Sequence, residues 1–195
     1  MGRKLGLTVE QVVETAAKIA DRDGLDALSL ATLASALGVQ SPSLYTHVRG
    51  LAGLRRQLTL HASGLLVTEL AASVDGLDGV DALRAIAQQL RSFAHRHPGL
   101  NNSFLPAPTP EEDPEVAAAL REPVTVIALV LDGMDVDPTT VIPLIRALRA
   151  AVHGFVDLEL RGGFGLPDNI DDSFTTTIDL VIEAIAAHST IRFDS

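Results

Sequence analysis

The chain has 195 residues, 47% of them hydrophobic and 21% charged, so it can bury a core and is no disordered polymer. It holds no cysteine, which excludes disulfides, thiolate zinc sites and thiol catalysis and fits a reducing, cytoplasmic setting. The net charge of -10 argues against a polyanionic partner for the whole chain, yet residues 1–60 carry seven basic and five acidic side chains (+2), against eight and twenty (-12) in residues 61–195. That asymmetry points to one module that meets nucleic acid and one that does not.

The N-terminal "MGRKLGLTVEQ" has no apolar h-region, and the apolar run Val124–Leu131 is too short to cross a bilayer, so no secretion and no membrane partner are expected. In the first segment Val9, Val12, Val13, Ala16, Ile19 and Ala20 recur at helical spacing. Thr8 and Gln11 form a capping-box start and Gly24 is a stop, which predicts a helix over 9–23. Ser29 starts a short second helix carrying Leu30, Leu33, Ala34 and Leu37, ended by Gly38. Ser41 is expected to cap a third, barely two turns long, with Pro42 in first position and Leu44 and Val48 facing inward. A fourth runs from about Leu51 through Leu54, Leu58, Ala62 and Leu65 to Ser73, and a fifth over about 80–96 until Pro98 breaks it.

After the proline-rich "NNSFLPAPTPEED", Asp113 with Pro114 opens a sixth helix that reaches Leu131, with a kink expected at Pro123. Asp137 with Pro138 repeats the start signal for a seventh that ends before "RGGFGLPDN", and the last lies near 171–188. No internal repeat or alternating strand pattern occurs. The expected fold is all-α, an N-terminal three-helix helix-turn-helix DNA-binding domain (residues 1–50) followed by a C-terminal helical regulatory and dimerisation domain (51–195).

The spacing of Ala34, Gly38 and Leu44 carries the helix-turn-helix reading. Two steeply crossing helices need a small residue where their axes approach, a positive-φ residue in the turn and an apolar anchor on the second helix. In such a motif the second helix enters the major groove by its N-terminal end.

"LSLATLASALGVQSPSLYTHVRGLAGLRRQL" resembles the DNA-binding region of the TetR family of bacterial repressors. There a leucine-tyrosine pair, a variable residue, a histidine or similar and an apolar residue precede a long helix; here these are Leu44, Tyr45, Thr46, His47 and Val48. The match covers about residues 8–60. The stretch "RALRAAVHGFVDLELRGGFG" resembles one recurrent C-terminal version in the family. The resemblance implies that Ser41, Pro42, Ser43, Tyr45 and His47 face DNA, and hydroxyl, imidazole and prolyl groups suit phosphate oxygens, base edges and a thymine methyl. Gln40, Thr46 and Arg49 join them, Ser29 and Thr32 are phosphate contacts by position, and Arg3 and Lys4 form a short basic arm. The sequence departs from the family at Leu30, Ala31 and Leu51, where basic or polar residues are frequent, and Arg49 with Arg55 or Arg56 is expected to compensate.

Other chemistries read less well. His153 and Asp157 share a helix face at i, i+4, but the helix bears a packing stripe, Val141, Ile145, Leu148, Val152 and Phe155. "RGGFG" follows a helix C-terminus, whose dipole repels anions, and lacks a Gly-Lys-Ser/Thr ending. "DGMDVD" lacks the glycine and glutamate of a calcium loop, and His95 with His97 lacks a third ligand. No enzyme activity, metal or cofactor is expected.

The resulting expectation is a cytoplasmic transcription regulator, a repressor that binds a near-palindromic double-stranded operator as a homodimer and is released by a small, apolar effector. One recognition helix spans only a few base pairs, so two-fold symmetry supplies the remaining affinity. The dimer seam is assigned to Val141, Ile145, Leu148, Val152, Phe155, Phe174, Ile178, Val181 and Ile182, and the pocket to Phe93, Phe104, Leu105, Val126, Ile127 and Val130. The alternative is a helical small-molecule binding protein or enzyme with a vestigial helix-turn-helix.

Overall fold

The computed structural model describes residues 7–189. Arg3 and Lys4 lie outside them. The elements are helices α1 (Val9–Asp23), α2 (Leu30–Leu37), α3 (Ser41–Leu44), α4 (Gly50–Ser73), α5 (Gly79–Arg96), α6 (Pro98–Asn102), α7 (Pro114–Asp132), α8 (Val141–Leu160) and α9 (Ile170–Ala186), with a 3-10 turn at Leu25–Ala27. Among the described residues there is no strand, only an isolated bridge between Val136 and Ser189. The chain forms two compact units. One is made of residues up to 65 with 96–120, the other of 66–95 with 121 onward, so α4 and α7 each contribute to both.

In the first unit, α1 begins where Thr8 and Gln11 exchange side-chain and backbone bonds (3.0 and 3.2 Å), the predicted capping box. Its inner face, Val12, Val13, Ala16, Ile19 and Ala20, is buried together with Leu28, Leu33, Leu44, Leu54 and Leu58. Each fully buried aliphatic side chain of this kind contributes about 1.5–3 kcal/mol before entropy is set against it.

The proline at 98 does not merely end α5. It opens α6, because a residue without an N–H fits a helix's first turn. α6 lies against the end of α1. A Cβ on Gly99 would come within 2.2 Å of the Ala20 carbonyl, so only glycine permits this approach. The Asp21 carboxylate then accepts the Leu100 N–H (3.0 Å), capping α6 from another helix, and pairs with His97 Nδ1 (2.8 Å).

The second unit packs the remainder of α4, α5, α7, α8 and α9 around Leu83, Ile86, Phe93, Ile127, Leu148, Phe174 and Ile178. Pro123 sits inside α7. Asp137 does not cap α8. Its carboxylate takes the Thr139 N–H and hydroxyl (both 2.9 Å) in a preceding turn, and α8 begins at Val141. Arg84 of α5 meets Asp179 of α9 at 2.7 Å and Arg91 meets Asp171 at 2.7 Å, so the two helices run antiparallel.

Candidate nucleic-acid interface

The site is built on α2, α3 and the turn that joins them. α2 starts at a reciprocal capping box: the Ser29 hydroxyl accepts the Thr32 N–H (3.1 Å) and the Thr32 hydroxyl accepts the Ser29 N–H (3.0 Å). Such a cap contributes about 1 kcal/mol to a helix this short. α2 stops at Gly38, in the left-handed region at φ 66°, and the Val39 N–H closes on the Ala34 carbonyl at 3.0 Å. The turn therefore follows from Ala34, which is buried, and a glycine that takes positive φ without strain.

α3 is a single turn followed by non-helical turns as far as Arg49. Gln40, not Ser41, occupies the capping position, without a side-chain cap bond, and Ser41 is the first helical residue. The predicted Ser41 cap fails because Pro42 falls one place later than expected. Leu44 is fully buried and Val48 nearly so, which anchors the segment. Outward stand Gln40, Pro42, Ser43, Tyr45 (63% exposed), Thr46 and Arg49, with Ser41 and His47 half-buried. Thr46 donates to the Ser43 carbonyl at 2.8 Å and keeps its acceptor lone pairs outward. Arg49 aside, the surface is a set of hydroxyls, an amide, a phenol and an imidazole, able to donate and accept but bringing little net charge.

The cations that sequence reasoning expected to compensate are largely committed elsewhere. Arg56 is held by Asp113 (2.6 and 3.0 Å) and Glu115 (2.6 Å). Its guanidinium pulls the Asp113 carboxyl below the usual carboxylate range, and the Val116 N–H, which Asp113 caps, adds to this. Arg55 sits 3.7 Å from Asp26, and Arg22 clasps Asp23. Among the lysines and arginines of the described residues up to position 60, Lys18 and Arg49 alone lie outside ion pairs. Ser29 and Thr32 spend their hydroxyls on starting α2, a role distinct from the assigned phosphate contact.

A family model described as "Tetracyclin repressor-like, C-terminal domain" matches residues 83–181. The HTH-type transcriptional regulator Rv0681 of Mycobacterium tuberculosis is 34% identical over 186 residues, covering 95% of this chain and 84% of that one. The chain belongs to the TetR family. The solved structures agree in fold. A Rhodococcus sp. RHA1 protein superposes with a TM-score of 0.80 (21% identity; 95% of this chain, 100% of that one). A TetR variant from Acinetobacter baumannii AYE, in complex with minocycline, does so at 0.71 (21% identity; 95% and 100%).

This TetR-family regulator does not present the two C-terminal residue sets as assigned. Ile145, Leu148, Val152, Phe155, Phe174, Ile178 and Ile182 are buried within a single protomer, and Val141 and Val181 are half-buried. A seam between copies needs side chains that one copy leaves in water, and these lie in its own core. Of the pocket set, Phe93 and Ile127 are buried and Val126 and Val130 half-buried in the second unit. Phe104 is half-buried in the first unit, and Leu105 is 61% exposed. His153 is exposed and Asp157 is engaged by Arg161 (2.7 Å), so no acid-base pair forms. A groove of about 490 Å³ runs between α1 and α2, lined by Ile19, Arg22, Asp23, Ala31, Thr32, Ser35 and Ala36; no sequence signal marked it.

Proposed function

We propose that this TetR-family regulator is a repressor that binds a near-palindromic duplex as a homodimer and leaves it when a small molecule occupies the regulatory part of the chain. The observation that carries the DNA reading is the contrast within six residues between buried Leu44 and Val48 and outward Ser43, Tyr45 and Thr46, with His47 half-buried beside them. A turn so anchored holds neutral hydrogen-bonding groups at the positions a major-groove reader uses. DNA reading is assigned to residues 1–50 and effector binding and dimerisation to 51–195. Nothing in this reading requires catalysis, and action on operator DNA implies a cytoplasmic protein.

The dimer seam is reassigned to the outward faces of α8 and α9. Ile142, Ala147, Ala150, Gly154 and Leu158 on α8, with Leu180 and Ala184 on α9, are exposed in one copy. Small residues between large apolar ones let two helix pairs approach as a four-helix bundle. Footprinting over the promoters flanking the chain's own gene tests the DNA reading: protection of a two-fold site is expected, lost in Tyr45→Ala with His47→Ala. An effector is then sought by thermal stabilisation, since a ligand selective for the folded state raises the melting temperature. Absence of protection at low salt overturns the repressor reading.

A further inference from the structure

The connection between α8 and α9, residues 161–169, contains three glycines and by composition is a loose loop. It is nevertheless tied at both ends by one side chain. Arg91 of α5, only 12% exposed, meets Glu159 just before the loop (2.9 and 2.5 Å) and Asp171 just after it (2.7 Å). The guanidinium also lies 4.7 Å from the centroid of the Phe174 ring. Phe174 stands edge-on to Phe155 (5.2 Å), and Phe155 in turn seats Phe164, the loop's central aromatic, at 4.7 Å. Glu159 has a second neighbour, His95 Nε2, at 2.9 Å.

We infer that Arg91 is the positioning residue of the α8–α9 pair, setting the relative placement of the two helices on which self-association depends; this rests on the dimer reading above. The chemistry requires arginine. A planar fork grips a carboxylate in bidentate fashion and reaches a second while its flat face covers an aromatic ring, whereas a lysine ammonium is a compact, strongly hydrated point charge with neither fork nor face. Arg84 is a useful contrast. It ties α5 to Asp179 of α9 but is half exposed and lies away from the loop.

The test uses the full chain in sedimentation over a concentration series, with helical content checked by circular dichroism. Arg91→Lys keeps the charge and loses the fork; it is expected to raise the dimer dissociation constant at least about tenfold, while Arg84→Gln stays within about twofold. Hydrogen exchange in Arg91→Lys is expected to quicken at residues 161–173. A merely electrostatic role would be rescued by lysine. Should Arg91→Lys fail to fold, Glu159→Gln, which keeps a hydrogen bond to Arg91, replaces it and is expected to loosen the same amides. A dimeric wild type whose Arg91→Lys variant associates as tightly overturns this inference alone. A wild type monomeric throughout overturns the dimer reading and this inference with it.

Discussion

The ion-pair pattern of the DNA-facing unit makes a quantitative prediction about salt. Each phosphate neutralised by a protein cation releases counterions, and log K falls with log salt by about 0.9 per phosphate on duplex DNA. Arg22, Arg55 and Arg56 already face carboxylates, so meeting a phosphate would exchange one anion for another. Arg49, exposed and unpaired immediately after the recognition turn, is the cation left to contribute there. Two copies give a slope of about -1.8 from Arg49; Arg3 and Lys4 on both copies would extend it to about -5.4, and Lys18, also outside ion pairs, to at most about -7.2. Fluorescence anisotropy on the footprinted duplex between 50 and 200 mM salt checks this. Over that fourfold range the Arg49 contribution alone amounts to a roughly twelvefold loss of affinity, and Arg49→Ala should remove it. If Arg49→Ala leaves the slope unchanged while Arg56→Ala flattens it, the reasoning is refuted, because the Asp113–Arg56 pair would then be open on DNA.

Three further outcomes are expected. Tyr45→Ala with His47→Ala removes four contacts per dimer at about 1 kcal/mol each, so operator affinity falls roughly a thousandfold; unfolding curves should stay within about 0.5 kcal/mol of wild type, since Tyr45 is mostly in water. Gly99→Ala drives a Cβ into the Ala20 carbonyl and should cost about 3 kcal/mol, seen as a melting temperature lower by roughly 6–12 °C. Arg91 holds the Glu159 carboxyl below its ordinary range, so the stability it confers is complete above the unfolded glutamate value and is lost as pH falls through the lower folded value. Melting scanned from neutral pH downward should therefore drop more steeply below about pH 4.3 in wild type than in Glu159→Gln. An identical acid limb in both would remove Glu159 from the acid response.

What the sequence disclosed was local. Thr8 with Gln11, Ser29 with Thr32, and Gly38 act within a few residues, so the helix boundaries and the turn before α3 were legible. Pro98 was read as a breaker because a proline's missing N–H signals both an end and a beginning, and only the Asp21 cap 79 residues away shows which. The arginines misled for the same reason: Arg56 finds Asp113 57 residues away, a pairing no window of sequence contains. The periodic stripes on α8 and α9 were correctly apolar, but periodicity says that a face is covered, not whether the same copy or another covers it. Those stripes lie mostly in the protomer's own core, and the outward residues between them carry no periodic mark of their own.

The scarcity of charge on the recognition surface bears on how this regulator searches a genome. Non-specific duplex competes for a DNA-binding protein almost wholly through its phosphates, and it does so in enormous excess. A head whose Arg22, Arg55 and Arg56 already face carboxylates, on a chain of net charge -10, is expected to dwell only briefly on such DNA. Little of the cellular pool would then be stored along the chromosome. On the proposed repressor reading, operator occupancy should then follow copy number closely, and an effector that loosens the complex should meet little DNA-bound reservoir to refill the site.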